Sequence, residues 1–539
     1  MRRPDVRRRS ILLVPLALLL GALACGGPPS DGDADAPAQA ASVDEPRLVV
    51  LYATCTVKPY MLAPYDPAVG YTPSLARFAA ESVTFPHHRS ESGQSGPAFA
   101  TLFGGVQADR HGVYGHPTPI DPDDVTLITA HFANAGWDVH TWLEHPMASA
   151  ALGYAAGTPE NQRYDHKLTA EDPVFAGVLA RLAADPSYRA LVVTNFTVTH
   201  GPYQRAPLDA FCADHGDRCG AYTDDPAGFD FLADFYQRAH AFLSYDFEAT
   251  AEFAGLASAQ WPQLAAVVEL LYRANVANLD RLFGAVVDAV DDAGLRDASV
   301  IAFTADHGET LFRDGTLFKW THGHQLAPEV LAVPFILRAP GRAEPGTVYG
   351  GISRSIDVLP TLAGLVGLMP LPPPLDGAGD VDDPLGPHAV VGRDLAPALR
   401  GEMPPPALRA FSHTSLLAEA VVEASRRWGL MHRYYPRVDV DLIWAAVHAE
   451  GDDGVDRVAQ LRRTPEDRIV PHLFEIADDR YEQRDRYDAQ DRTQRRLLRD
   501  LKTYRDRMIT IYHERHADAP QLDDAHQREL LDSLGYIGG

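Results

Sequence analysis

The sequence predicts an α/β fold in which a mainly parallel central sheet is flanked by helices and a smaller α+β subdomain follows at the C-terminus. Three apolar, strand-like runs at residues 48–53, 190–195 and 299–304 are separated by stretches with helical periodicity. Strands that alternate with helices are typical of parallel sheets, because each crossover returns the chain to the same end of the sheet. With 539 residues, 46% of them hydrophobic, the chain is long enough to bury a large core.

Two helices are predicted from apolar residues at helical spacing. The first carries the stripe Leu264, Val267, Val268, Leu271, Val276, Leu279, Leu282, Phe283 and Val286. The second lies near the C-terminus and carries the stripe Leu497, Leu498, Leu501, Tyr504, Met508 and Ile511. Between them, the Pro- and Gly-rich passage at residues 369–388 predicts a surface excursion. We therefore assign residues 46–370 to a main domain, and residues 371–539 to a linker and a C-terminal subdomain.

Residues 1–25 are typical of an export signal. A cluster of arginines precedes the apolar run at residues 11–20, and the small residues GALA then lead to Cys25. This order is typical of bacterial lipoproteins, so we expect Cys25 to become a lipidated N-terminus; plain cleavage and secretion is the alternative. The polar, Pro-rich residues 26–45 are expected to form a disordered tether. The predicted location is the bacterial cell envelope, in the periplasm or at the cell surface, with the lipid on Cys25 as the membrane anchor.

The net charge limits the kinds of binding partner. The formal net charge of -25 argues against nucleic acid and against a bare anionic membrane surface as binding partners.

Export implies an oxidising compartment, so Cys212 and Cys219 are predicted to form a disulfide. Cys55, directly after the first strand, is left without a partner.

Several polar residues follow strand-like runs. Asp306 and His307 come just after the run at residues 299–304, and the carboxyl ends of parallel strands are where α/β sheets bind ligands. An adjacent carboxylate and imidazole can hold a divalent cation, although the same tripeptide with Gly308 also makes an ordinary turn. His200, His322 and His324 are further imidazoles in comparable positions, and one such histidine alone is usually structural. Together these residues predict a site at one edge of the sheet.

From about residue 47 to its end, the sequence resembles the sulfatases of the alkaline-phosphatase superfamily. The matching segments occur in the order of that family: LVVLYATCTVKPYMLAPY, SGPAFATLFGGVQADRHGV, VTHGPY, FTADHGE, HGHQLAPEVLAVPFILRAPG, SIDVLPTLAGLVG, GRDLAPALRG and LLDSLGYIGG. The resemblance implies an alkaline-phosphatase-like fold, with residues 46–370 as a sulfatase-like catalytic domain. It also implies an anionic ester, either a sulfate or a phosphate, as the substrate.

By this resemblance Ser95 occupies the nucleophile position. Catalytic sulfatases carry there a Cys or Ser that is oxidised to formylglycine within a Cys/Ser-x-Pro-x-Arg motif, and here Phe99 replaces the arginine. Formylglycine is therefore not expected, and direct attack by the serine hydroxyl is expected instead. A serine in a Gly-rich segment is otherwise turn chemistry.

The resemblance also suggests roles for the histidines. His200 and His322 are expected to be catalytic by stabilising charge, and His145 and His324 are expected to bind the substrate. His145 follows Glu144 at a place where sulfatases often have a Lys and a His that bind sulfate oxygens. A glutamate there would repel an anionic ester unless a cation offsets its charge.

Cys55 falls where such enzymes usually carry a metal-binding aspartate. A thiolate can replace the carboxylate but favours zinc over calcium or magnesium, so we expect one divalent ion, zinc or manganese rather than calcium, on Asp306, His307 and Cys55. The alternative is a lost ligand and a small buried thiol.

Three functions remain open at this point. The favoured one is a metal-dependent hydrolase or transferase acting on a sulfate or phosphate ester. The second is a catalytically inactive binding protein that keeps the fold, which Cys55, Phe99 and Glu144 together would allow. The third is an exported scaffold with no affinity for metals or anions.

Overall fold

The computed structural model describes residues 45–115, 117–243, 256, 258–311, 322–323, 326–369, 371, 390–414, 418–424, 428–434, 470–475, 479 and 484–515. The predicted signal segment, nearly all of the tether, Cys25 and His324 lie outside the described residues. Among the helices that are described, none combines the length and the apolar character needed to cross a membrane.

The strands form a large central sheet and two smaller sheets. Their bounds are β1 Leu48–Thr54, β2 Val83–Thr84, β3 His88–Arg89, β4 Asp138–Leu143, β5 Arg163–Tyr164, β6 Ala190–Phe196, β7 Ser299–Ala305, β8 Phe335–Arg338, β9 Thr347–Val348, β10 Ser353–Arg354, β11 Arg409–Thr414, β12 Ala418–Ala424, β13 Trp428–Tyr434 and β14 Val470–Phe474. The central sheet has the order β5-β4-β6-β1-β7-β8-β2-β9. Its strands from β5 to β7 are parallel, and β8 is antiparallel to both of its neighbours.

The α-helices follow the strands along the chain. Their bounds are α1 Pro73–Ala79, α2 Ser95–Gly104, α3 Ala108–His111, α4 Ile128–Asn134, α5 Pro173–Ala184, α6 Leu208–Asp214, α7 Gly220–Thr223, α8 Pro226–Leu243, α9 Trp261–Asp292, α10 Pro328–Leu331, α11 Ser355–Leu365, α12 Ala396–Leu399 and α13 Arg492–Arg515. The predicted mixed α/β fold with a mainly parallel sheet flanked by helices is confirmed. The three strand-like runs of the sequence correspond to β1, β6 and β7, and the two apolar stripes lie on α9 and α13.

Strand β1 lies in the middle of the sheet and is buried along its whole length. Because side chains alternate between the faces of a strand, its residues contribute to two separate cores. Leu48, Val50 and Tyr52 pack in the core that includes α9. Val49, Leu51 and Ala53 pack in the core that includes α2 and α11. The burial of both faces explains why β1 is a continuous apolar run.

The C-terminal part contains an antiparallel sheet in the order β11-β12-β13-β14, together with α13. Its edge strand β11 contacts the segment that leads to α2. The hydroxyl of Ser412 donates to the carbonyl of Ser90 at 2.7 Å, and the amide of His413 donates to the carbonyl of Glu91 at 2.9 Å. The division of the chain between residues 370 and 371 stays a prediction.

The predicted disulfide between Cys212 and Cys219 is present, and its Cα atoms are 5.8 Å apart. Cys219 is fully buried in the core on the α9 side of the sheet, whereas Cys212 packs against that core from its margin. Cys55 is buried and carries no disulfide. The disulfide therefore closes a short loop without involving the candidate site.

Replacing both Cys212 and Cys219 with alanine should lower the free energy of unfolding by about 2–3 kcal/mol, because the crosslink restricts the unfolded chain over a short loop. Chemical denaturation followed by circular dichroism measures this difference. A reducing agent should destabilise the wild type by a similar amount and leave the double variant unchanged. A further loss of stability in the reduced double variant would contradict this account.

Candidate active site

The polypeptide after β1 is held in an unusual conformation. Thr56 has a φ of 56°, in the left-handed region that residues other than glycine rarely adopt. Its amide donates to Asp306 Oδ1 at 3.1 Å, and its hydroxyl donates to the carbonyl of Thr199. The hydroxyl of Thr199 donates back to the carbonyl of Cys55 at 2.5 Å, and the hydroxyl of Tyr272 donates to the carbonyl of Thr56 at 2.7 Å. These bonds fix the backbone on both sides of Cys55.

The segment after β7 is held in place by the residues that follow β1 and by α10. The amide of Asp306 donates to the carbonyl of Thr54 at 3.0 Å, and the amide of Val57 donates to the carbonyl of His307 at 3.1 Å. The amide of Gly308 donates to the carbonyl of Val330 at 2.7 Å. Asp306 and His307 are therefore held beside Cys55 by backbone contacts that do not depend on their side chains.

Ser95 is the first residue of α2 and is 2% exposed. Its Oγ lies 3.4 Å from Cys55 Sγ and 3.1 Å from His307 Nε2. The Nδ1 of His307 lies 2.9 Å from the carbonyl oxygen of Gly308, which can only accept, so Nδ1 carries the proton. The Nε2 lone pair therefore faces Ser95 and can take the hydroxyl proton or bind a cation, but not both at once.

Two more histidines have the same tautomer. The Nδ1 of His200 donates to the carbonyl of Gly201, and the Nδ1 of His322 lies 3.1 and 3.2 Å from the two carboxylate oxygens of Glu309. The His322 ring centroid is 4.4 Å from that of His307 and 5.1 Å from that of His200. The three imidazoles thus form one buried cluster in which each Nδ1 carries the proton.

His145 has the opposite tautomer. Its Nδ1 accepts the amide proton of Met147 at 3.1 Å, so its Nε2 carries the proton. Its own amide donates to the side chain of Asn195 at 3.0 Å, and its ring centroid is 5.9 Å from that of His200. His145 is therefore arranged as a hydrogen-bond donor through Nε2, which suits an anionic ligand better than a metal.

Two groups of side chains have ligand atoms within 4.8 Å of one another: Cys55, Asp306 and His307, and Cys55, His145 and His200. In the first group, Asp306 Oδ2 is buried, has no hydrogen bond of standard geometry with the described residues and lies 3.4 Å from His307 Nε2. In the second group, the Nδ1 lone pair of His145 already accepts the amide proton of Met147. The first group, a carboxylate, an imidazole and a thiol, is therefore the better fit for a divalent ion such as zinc.

Burial dominates the electrostatics of the cluster. Burial, followed by the nearby Asp306 carboxylate, raises the pKa of the Cys55 thiol well above its usual value. Burial raises the pKa of Glu309 to about 7, against the opposing effect of His200 and His307. Burial lowers the pKa of His200. Burial thus favours the uncharged forms of Cys55, Glu309 and His200.

The negative charge of Glu144 is compensated. Its carboxylate lies 3.0 Å from the ammonium group of Lys167, and it accepts hydrogen bonds of 3.2 Å from the amide and the hydroxyl of Thr197. Lys167 thus supplies the cation that the sequence left unidentified. Glu144 therefore needs no further cation to offset its charge.

The structure brings together most of the residues that the sequence singled out. Ser95, Cys55, Asp306 and His307 form one contact group, and His145, His200 and His322 adjoin it. His324 lies outside the described residues. Phe99 is buried and its ring packs against those of Phe103 and His145, so it fills space where the family motif has an arginine.

Sequence analysis missed Glu309 as a site residue. It lies two positions after His307 in the segment FTADHGE, but its contact with His322 cannot be read from that spacing. It also missed Tyr272 and Tyr203, whose hydroxyls donate to Thr56 and Glu309. For Glu309, the signal in the sequence was its position two residues after the Asp306-His307 pair. The two tyrosines had no comparable signal.

Parts of the chain are similar to known proteins. A family model described as Sulfatase matches residues 62–368. An endo-4-O-sulfatase of Bacteroides thetaiotaomicron is 34% identical over 97 residues, which are 18% of this chain and 18% of that protein. A low-salt glycan biosynthesis sulfotransferase of Haloferax volcanii is 33% identical over 97 residues, 18% of this chain and 24% of that protein. The chain thus matches at most about a quarter of the length of these two relatives.

Solved structures extend the likeness over most of the chain. The structure of a phosphonate monoester hydrolase from Silicibacter pomeroyi has a TM-score of 0.52 and 17% sequence identity, and covers 86% of this chain and 95% of that chain. At this identity the likeness concerns the fold alone.

Gly308→Ala should destabilise the protein by about 1–3 kcal/mol and displace His307. A Cβ at this position would lie 1.9 Å from the carbonyl oxygen of Glu329, and a backbone atom cannot swing aside as a side chain can. Differential scanning calorimetry measures the effect.

Gly177→Ala is the matched control, because Gly177 lies within α5 and a Cβ there would meet no atom within 4 Å. That variant should be stabilised by about 0.5–1 kcal/mol, as expected for replacing glycine inside a helix. Equal stability of the two variants would show that the contact at Gly308 is not limiting.

Proposed function

This chain belongs to the sulfatase family, and on that premise we propose that it hydrolyses a sulfate or phosphate ester with Ser95 as the nucleophile. The observation that carries the proposal is the position of the Ser95 hydroxyl, between Cys55 Sγ and His307 Nε2 at the start of α2. The buried imidazole of His307 supports a nucleophilic role for Ser95, because a base within hydrogen-bond reach can activate a serine hydroxyl.

The reaction begins with the attack of Ser95 Oγ on sulfur or phosphorus. The bond from that atom to the alcohol oxygen breaks, the alcoholate leaves with the bond's electron pair, and the acid group remains on Ser95 until water releases it. In the chain alone, the lone pair of His307 Nε2 accepts the serine proton across 3.1 Å. The positive end of the α2 dipole and the Nε2–H of His145 would stabilise the oxygens of the ester.

A divalent ion would be held by Asp306, His307 and Cys55, with zinc or manganese favoured over calcium. When bound, it would supply positive charge that lowers the pKa of the Ser95 hydroxyl and attracts the ester. The proximity of the three ligand atoms and the burial of Asp306 Oδ2 beside His307 Nε2 support this assignment. The thiol of Cys55 would lose its proton on binding, because the thiolate is the ligand form.

The proposal includes both sulfate esters and phosphate esters as substrates. The relatives and the solved structure reported above are named as a sulfatase, a sulfotransferase and a phosphonate monoester hydrolase. Phe99 in place of the motif arginine favours an unmodified Ser95 over formylglycine, and direct serine attack suits phosphorus as well as sulfur. The substrate is therefore defined by its anionic group rather than by its alcohol.

We also propose that the protein acts outside the cytoplasm, anchored in the cell envelope by a lipid on Cys25. The arginine cluster, the short apolar run and the GALAC sequence support this location.

Ser95→Ala should reduce kcat to below about a thousandth of the wild-type value, since it removes the attacking oxygen. The melting temperature should change by less than about 3 °C, because one hydrogen bond is lost from a large protein. Turnover of para-nitrophenyl sulfate and para-nitrophenyl phosphate measures the first quantity. Retained turnover would exclude Ser95 from the mechanism.

The purified protein should contain about one equivalent of zinc or manganese by elemental mass spectrometry, when prepared without chelators. Cys55→Ala should weaken the affinity for that ion at least about tenfold, whereas the variant lacking Cys212 and Cys219 should bind it as the wild type does. An unchanged affinity in Cys55→Ala would identify Cys55 as a buried thiol only. No binding of zinc, manganese or calcium by the wild type would favour the inactive binding protein.

A further inference from the structure

Lys58 and Glu329 form a buried ion pair close to the candidate site. The ammonium nitrogen of Lys58 lies 2.9 Å from Oε1 of Glu329, and the two side chains are only 4% and 3% exposed. Lys58 belongs to the loop after β1, which ends at Thr54, and Glu329 belongs to α10. The pair therefore joins this loop to α10 in a region that is shielded from water.

Glu329 also contacts the segment after β7, through its backbone. Its carbonyl oxygen lies against Gly308, since a Cβ added to that glycine would be 1.9 Å from it. The amide of Gly308 donates to the carbonyl of Val330, the next residue of α10, at 2.7 Å. Glu329 thus touches one segment with its main chain and the other with its side chain. The relative position of these two segments decides how close Cys55 lies to Asp306.

The loop after β1 needs such support because its backbone is strained. Thr56 has a φ of 56°, and a β-branched residue keeps this left-handed conformation only when its surroundings hold it. Hydrogen bonds with Asp306, Thr199 and Tyr272 hold Thr56 itself. The ion pair attaches the same loop to α10 two residues further along, at Lys58.

The ion pair is not expected to add much to the overall stability. The cost of removing two charges from water offsets most of their attraction, so replacing both partners of a buried pair with apolar side chains of similar volume is often neutral or stabilising. An ion pair nevertheless fixes a distance and a direction between two groups, which apolar contacts do not. The two side chains are therefore better suited to defining a position than to increasing the free energy of unfolding.

We propose that Lys58 and Glu329 are positioning residues, whose ion pair holds the loop after β1 against α10 and so keeps Cys55 beside Ser95 and Asp306. The Sγ of Cys55 lies 3.4 Å from Ser95 Oγ, and movement of the loop would change this distance. For a bound ion, the pair determines whether a thiol ligand stands next to the carboxylate and the imidazole. In this last respect the inference rests on the proposed function.

Hydrogen–deuterium exchange of the full-length protein tests the positioning without any ligand. The double variant Lys58→Met with Glu329→Leu removes both charges and keeps similar side-chain volumes. Protection of the amides of Thr56 and Val57, whose hydrogen bonds cross to the segment after β7, should fall at least about 100-fold. Protection within β1 should change less than about threefold, because the core stays intact. An equal loss in both places, or no loss in the loop, would overturn the proposal.

Glu329→Gln is the second variant, since it keeps the length of the side chain and removes only the charge. It should show the same selective loss of protection in the loop, together with a lower melting temperature, because the Lys58 ammonium is left unpaired. Unchanged protection of the loop in this variant would also contradict the proposal.

Arg338 and Asp291 are the matched control pair. Their charged groups are 2.6 Å apart, and the Arg338 side chain is 2% exposed. Arg338 lies opposite Ile301, near the start of β7, whereas the site follows the end of that strand. Arg338→Met with Asp291→Asn should leave the protection of the loop, relative to that of β1, within about threefold of the wild type.

Cobalt(II) binding tests the consequence for the ion. The wild type should show the near-ultraviolet charge-transfer absorption of a cobalt–thiolate bond, and Cys55→Ala should lack it. The double variant Lys58→Met with Glu329→Leu should bind cobalt more weakly and without this absorption, because the thiol is no longer held beside the other ligands. If the wild type itself lacks the absorption, the metal site of the proposed function fails, while amide exchange still decides the positioning. Full absorption in the double variant would overturn the inference.

Discussion

The site depends on the in-register pairing of β1 with the two strands beside it. Thr54, the last residue of β1, lies opposite Phe196 of β6 on one side and Ala305 of β7 on the other. The three strands therefore end at the same level, and the segments that follow them bring Cys55, His200 and Asp306 to one edge of the sheet. A shift of one strand by a single residue would turn its side chains to the opposite face and separate these groups.

Backbone carbonyls set much of the chemistry at this edge. His200 and His307 each precede a glycine, and each ring donates Nδ1–H to the carbonyl of that glycine. A local sequence pattern therefore determines which ring nitrogen carries the proton, without help from distant side chains. His322 also precedes a glycine but uses Glu309 for the same purpose, so its orientation depends on a residue from another segment.

The sequence was sufficient for β1, β6, β7, α9 and α13, because long apolar runs are local signals. It also singled out most of the residues that the structure brings together around Ser95, because polar residues after strand-like runs are a local signal too. It could not supply partners that are distant along the chain. The compensation of Glu144 by Lys167 and the support of Glu309 by Tyr203 arise only from tertiary packing. The tautomer of His145 depends on the amide of Met147, and a turn conformation cannot be deduced from the residue types. The resemblance to the sulfatases named the positions but not these contacts.

The contact between β11 and the segment before α2 has a consequence for the order in which the molecule is made. The hydrogen bond from Ser412 to Ser90 joins residues 322 positions apart. A nascent chain that has not yet reached residue 409 lacks the strand that holds the loop before Ser95. The nucleophile therefore cannot acquire its final support during synthesis of the main sheet, and long-range contacts of this kind form only after most of the chain is available to close them.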